Sequence, residues 1–174
     1  MTRSYPDPLA LSRSVLRVLI KLNLLVGVLI LGLLVTSLVV GDQVMRMLAA
    51  RTPQAGATLF LGMRLVAVIG LAGVPVVHFV LTWLLAIVDT VREGNPFARA
   101  NAARLQRIAW AVLVLELMHL AVAAIAAAVS TAAAPFDISW RFSLTPWLAV
   151  LLLFVLARVF EQGARMREEL EGTV

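Results

Sequence analysis

The chain has no cysteine, one tyrosine and two histidines, and only 14% of its 174 residues are charged. The missing cysteines exclude disulfides, thiolate-ligated zinc, iron–sulfur clusters and thiol nucleophiles. The shortage of charge excludes an ordinary water-exposed surface, which needs charge at about a quarter of its positions. No glycine-rich phosphate loop, paired-histidine metalloprotease motif or nucleophile elbow is present, so catalytic residues are not expected. Ser12, Ser14, Ser130, Ser139 and Ser143 have no histidine near them in the expected frame, which argues against a serine hydrolase. What the chain has in quantity is apolar surface: 61% of it is hydrophobic, and its mean hydropathy is +0.96. This is the composition of an integral membrane protein. The net charge of +5 does not call for direct nucleic-acid binding, because membrane proteins collect arginine on their cytoplasmic side for another reason.

Four apolar runs stand out: Leu22 to Val40, Leu65 to Val88, Ile108 to Val129 and Leu144 to Phe160. A hydrocarbon core of about 30 Å takes about 20 helical residues, so each run can span. Transmembrane β-strands would alternate in segments of about ten residues, and these runs do not. The expected fold is an all-α membrane protein, a four-transmembrane-helix bundle in a single domain. Its spans are near 15–40, 62–90, 105–130 and 142–162, with a cytoplasmic loop at 91–104 and a tail at 163–174. The first run is read as a helix rather than a cleaved signal, because it is longer than a signal core of about 7–15 residues and Ser37-Leu38-Val39-Val40-Gly41 is a poor cleavage site.

The basic residues give orientation. Arg3, Arg13, Arg17, Lys21, Arg92, Arg99, Arg104, Arg107, Arg158, Arg165 and Arg167 fall on one side, against Arg46, Arg51, Arg64 and Arg141 on the other. The richer side is expected in the cytoplasm, with both termini, which makes the bacterial inner membrane the expected location. Trp83 and Trp110 then fall near the inner interface, and Trp140 and Trp147 near the outer one. Outside, Val44, Met45, Met47 and Leu48 suggest a short amphipathic segment before the breaker-rich Thr52 to Gly56, and a second loop runs from Ser130 to Ser143.

On the cytoplasmic side, Gly94 reads as a helix C-cap, Asn95 as an N-cap and Pro96 as the first residue of a new helix. That helix carries Phe97, Asn101, Arg104 and Ile108 along one stripe. The last helix continues past the membrane with a second stripe of Val159, Gly163, Met166, Leu170 and Val174. Arg158 is expected to pair with Glu161 one turn on. Glu161, Glu168, Glu169 and Glu171 can face Arg99, Arg104 and Arg107 while the apolar stripe meets Phe97 and Leu105. The face is then either a self-packed cap or a docking surface for another cytoplasmic protein. The basic loop can also meet anionic lipid headgroups.

Within the membrane, His78, Glu116 and His119 lie roughly 15, 12 and 17 Å from the expected inner ends of their helices, which puts them near the midplane. Thr82 is a further candidate, and Pro75 is expected to bend the second helix nearby. An ionised Glu116 at that depth needs a partner. Three roles stay open for this intramembrane polar cluster: hydrogen-bonded glue between helices, a site for a ligand, proton or ion, or a b-type haem held by the two histidines.

The run Gly94-Asn95-Pro96-Phe97, then Asn101-Ala102, Arg104-Leu105 and Ile108-Ala109, resembles the bacterial membrane family filed as domain of unknown function 2975. So does the ending, Phe160-Glu161-Gln162-Gly163-Ala164-x-Met166-Arg167-Glu168-Glu169-Leu170-Glu171-Gly172-Thr173-Val174. The resemblance extends over nearly the whole chain, and these two motifs carry it. It implies a four-helix membrane protein, often encoded beside a small helix-turn-helix regulator of the Xre/Cro type, with no catalytic residues and no cofactor. The function then expected is a non-enzymatic regulatory or sensory partner in the lipid bilayer, acting on such a regulator through its cytoplasmic face. The alternative is a small transporter or channel subunit, a homo-oligomer built around Glu116, His78 and His119.

Overall fold

In the computed structural model, residues 8–41, 53–129 and 143–171 are described, with side chains over 9–41, 60–129 and 143–169. The described residues form four helices and no strand: α1 (Pro8–Val39), α2 (Pro53–Arg92), α3 (Arg99–Val129) and α4 (Leu144–Glu171). All four are long and apolar enough to cross a membrane. Their apolar side chains lie largely on the outside: Val28, Leu33, Leu117 and Leu152 are each more than half exposed. Water penalises such a surface and lipid does not, which makes this a multi-pass membrane protein. The expected amphipathic segment at Val44 to Leu48 and the loop from Ser130 to Phe142 lie outside the described residues.

α1 begins at Pro8 rather than near residue 15, and two further boundaries differ from those expected. α2 begins at Pro53, inside the stretch read as breaker-rich, because proline fits the first helical position, where its missing N–H would be unpaired anyway. α2 then continues through Pro75 without a break. α3 begins at Arg99 rather than Pro96. Asn95, Pro96, Phe97 and Ala98 form a turn in which the Ala98 N–H donates to the Asn95 carbonyl (3.4 Å), and the Asn101 N–H donates to the Ala98 carbonyl (2.8 Å). Phe97 therefore sits on the turn and not on a helical stripe.

The chain forms two compact units. The first comprises residues 1–23, 76–114 and 143–174. Its core is the α3 face made by Asn101, Ala102, Leu105, Ile108 and Ala109, together with Val150, Ala157 and Ala164 of α4. The three α4 residues recur every seven positions, two helical turns apart, and two of them are alanines that let neighbouring backbones approach. Trp110 and Phe154 meet edge to face at 5.3 Å between the same two helices. Arg13 Nε of α1 lies 3.0 Å from Asp89 Oδ1 of α2.

The second unit comprises residues 24–75 and 115–142. Its helices touch at glycines: a β-carbon on Gly27 would lie 2.9 Å from Val74, and one on Gly62 would lie 2.6 Å from Val129. Both distances are too short for a real side chain, so the absence of one is what permits the contact. Arg64 of α2 donates from Nε to Ser37 Oγ at 3.1 Å and from Nη2 to the Ser37 carbonyl, and its guanidinium lies 4.4 Å above the Phe60 ring. This lone charge in an apolar run is thus hydrogen-bonded to α1 and lies over a ring of its own helix.

Candidate functional site

The sequence motif Gly94-Asn95-Pro96-Phe97 with Asn101 and Arg104 is brought together in the first unit. α2 is capped as expected by Gly94, two residues past its end, whose φ of 78° is costly for any residue with a β-carbon. The Gly94 N–H donates to the Val91 carbonyl (3.1 Å) and the Asn95 N–H to the Thr90 carbonyl (3.0 Å), the paired bonds of a Schellman motif. The chain is thereby turned so that Pro96 faces the start of α3.

Asn101 locks that turn. It is fully buried and, among the described residues, is the largest side chain to be so. Its Nδ2 donates to Thr90 Oγ1 (2.8 Å) and to the Pro96 carbonyl (3.0 Å), while its Oδ1 accepts from Arg104 Nη1 (2.8 Å). The Thr90 hydroxyl can then give its one proton to the Ile87 carbonyl at 2.8 Å. Both amide protons and the carbonyl of Asn101 are used, which is the condition for burying such a group without penalty. Among the described side chains Arg104 meets no tail glutamate and turns inward to Asn101 and towards the Ala86 carbonyl (3.4 Å), while the side chain of Glu171 lies outside them.

The turn lies against the last helix. A β-carbon on Gly163 would meet Phe97 Cδ1 at 2.8 Å, so the ring occupies the space left by glycine's missing side chain. Phe97 also packs on Phe160, with ring centroids 5.4 Å apart and planes tilted by 43°. Arg167 Nη1 donates to Asn95 Oδ1 at 2.6 Å. This engages the side chain that was expected to cap α3. Arg99 pairs with Glu168 at 2.7 Å. Glu161 is held within its own helix by Arg158 (2.8 Å) and Arg165 (2.6 Å). The tail stripe is therefore rotated from the one expected. Gly163 meets the turn, Met166 is 62% exposed, the side chain of Leu170 and all of Val174 lie outside the described residues, and Ala157 and Ala164 take the buried line.

The four residues of the intramembrane polar cluster fall in different units. His78 and Thr82 belong to the first, and Glu116 and His119 to the second. Thr82 Oγ1 donates to the Phe79 carbonyl of its own helix at 2.9 Å. His78 meets the edge of Phe79 at 6.3 Å, and its Nδ1 is buried with no hydrogen-bond partner. His119 is exposed and Glu116 half-buried. Among the described residues no group of three or more His, Asp or Glu is placed to hold a metal ion.

The family model described as "Protein of unknown function (DUF2975)" matches residues 43–174. The chain belongs to that family. The match takes in the Gly94 turn, the Asn101 lock and the α4 residues on which Phe97 rests, all of which the DUF2975 model covers. No curated protein and no solved structure matches the chain.

Sequence reasoning singled out Asn101 and Phe97, named Phe160 only within the ending motif, and gave no partner to Thr90 or Arg64. For Thr90 the available signal was one helical turn of spacing before Gly94, and for Arg64 it was an isolated charge inside an apolar run, which demands a partner.

Proposed function

We propose that this DUF2975 protein is a non-enzymatic regulatory or sensory partner of the bacterial inner membrane, with its termini and the Gly94–Phe97 turn in the cytoplasm. The turn and the α4 extension present a joint surface to a small helix-turn-helix regulator. One observation carries this reading: the two motifs behind the family resemblance meet where Phe97 lies over Gly163, and Phe97 still leaves 43% of its surface open. A partly exposed aromatic anchor, with an exposed Met166 three residues beyond Gly163 on the same helix, is the kind of surface at which protein contacts concentrate. The excess of basic residues around it favours the cytoplasmic side.

A bacterial two-hybrid assay against the helix-turn-helix protein encoded beside the gene tests the proposal. Phe97→Ala and Gly163→Leu should each abolish the interaction, while Glu116→Gln should leave it intact. Undiminished binding by both turn variants would refute the proposal.

The transporter or channel reading has one observation in its favour, the buried and unpartnered Nδ1 of His78, a state that suits a group kept for a proton or ligand. It predicts the opposite pattern: loss of solute flux in Glu116→Gln and His78→Ala, and tolerance of Phe97→Ala.

A further inference from the structure

A groove of about 510 Å³ runs between α3 and α4 within the first unit. Its two ends differ chemically. One is formed by Arg99, Arg158, Glu161 and Arg165, the other by Phe154 and Ala157. The two grooves of the second unit, of about 400 and 720 Å³, have no comparable charge cluster; the larger has only Arg64, which is already bonded to Ser37.

The charged end is organised. The Glu161 carboxylate accepts from Arg158 at 2.8 Å and from Arg165 at 2.6 Å, which holds the two guanidinium groups side by side. Glu168 anchors Arg99 from outside the groove at 2.7 Å. Each guanidinium offers five N–H donors, and these pairings occupy a minority of them. The side chains remain 70%, 66% and 59% exposed for Arg99, Arg158 and Arg165. Three arginines against two carboxylates leave one net positive charge, which matches a single phosphodiester. From Arg165 to Phe154 the helix rises about 16 Å, enough to pass from a lipid phosphate to the upper acyl chains.

We propose that this groove binds the headgroup of an anionic glycerophospholipid of the surrounding bilayer. Arg99, Arg158 and Arg165 hold its phosphodiester, and its acyl chains leave over Phe154 and Ala157. The apolar end selects lipid over a soluble phosphate ester, which would have no use for it. Basic pockets between transmembrane helices are known to take such headgroups. The proposal rests on the helices crossing a membrane and is independent of any regulatory partner.

The test is native mass spectrometry of the full-length protein released from nanodiscs containing equal phosphatidylglycerol and phosphatidylcholine, which counts retained lipids of each kind. Phosphatidylglycerol should be retained preferentially. Arg158→Gln and Arg165→Gln should each reduce that preference by at least about fivefold, the effect of one arginine close to anionic lipid. Ala103→Trp, which fills the groove from an exposed lining position without changing charge, should do the same. Arg17→Gln, which removes an exposed charge from α1, should leave the preference intact. Equal loss in Arg17→Gln would overturn the proposal in favour of diffuse charge attraction, and so would full retention in Ala103→Trp. Displacement of the lipid by equimolar soluble glycerophosphoglycerol would overturn the lipid as the source. Matching elution profiles and circular dichroism across the variants keep a folding defect from imitating the expected loss.

Discussion

Replacing Asn101 with leucine probes the lock between α2 and α3. Leucine shares the branched skeleton of asparagine and is somewhat larger, so no cavity is left behind and the main cost is polar. The Pro96 carbonyl loses the Nδ2 donor at 3.0 Å, and Arg104 Nη1 loses Oδ1 at 2.8 Å and retains only the Ala86 carbonyl at 3.4 Å. Thr90 Oγ1 loses the Nδ2 donor at 2.8 Å, but its own proton still reaches the Ile87 carbonyl at 2.8 Å. Two half-buried groups that each lose a partner cost about 1–3 kcal/mol apiece at most, so Asn101→Leu should destabilise the protein by roughly 2–3 kcal/mol. Asn101→Asp keeps an acceptor for Arg104 and gains charge assistance there, but it sets a carboxylate oxygen against the Pro96 carbonyl. Its loss should be about half as large. Unfolding in mixed micelles, followed by the fluorescence of Trp83 and Trp110, measures both. Amide exchange should accelerate first across residues 90–104. An Asn101→Leu variant within about 0.5 kcal/mol of the parent would show that the buried amide is not what holds the turn.

Phe97→Ala removes a half-exposed ring from Phe160 and Gly163 and should cost about 1–2 kcal/mol, with faster tryptic cleavage after Arg99 in limited proteolysis. Arg64→Met breaks both bonds to Ser37 and the contact with Phe60, for a loss of about 2–3 kcal/mol in the same micellar titration. Ser37→Ala, which leaves the backbone acceptor and the ring, should cost less than half of that. Gly62→Leu must push Val129 aside, and a lowered melting temperature in detergent, with no change in helix content by circular dichroism, is the expected result.

The helices were legible because lipid imposes length and apolarity on each crossing independently, and α1 to α4 each satisfy both conditions without reference to any other part of the chain. The Gly94 cap was legible for a similar reason: a positive φ is a local demand that glycine meets alone. The start of α3 was not, because Asn95 is engaged by Arg167 from 72 positions away and Asn101 holds Pro96 in a turn. Tertiary bonds overrode a local capping signal. The tail stripe was legible only at Gly163, which meets Phe97. Its choice of face was set by the close approach that Ala157, Gly163 and Ala164 allow, whereas an apolar count favours Val159 and Met166, and both of those are exposed. A shared depth from the membrane edge likewise says nothing about which way His78, Glu116 and His119 point.

The account depends most on the Arg-rich turn and the α4 extension facing the cytoplasm. Because the chain has no cysteine, single cysteines can be introduced into an otherwise silent background. Ser143→Cys, just before α4, should react with a membrane-impermeant maleimide in intact cells, whereas Glu93→Cys and Met166→Cys should react only after lysis. Labelling of Glu93→Cys or Met166→Cys in intact cells, with Ser143→Cys protected, would contradict the account.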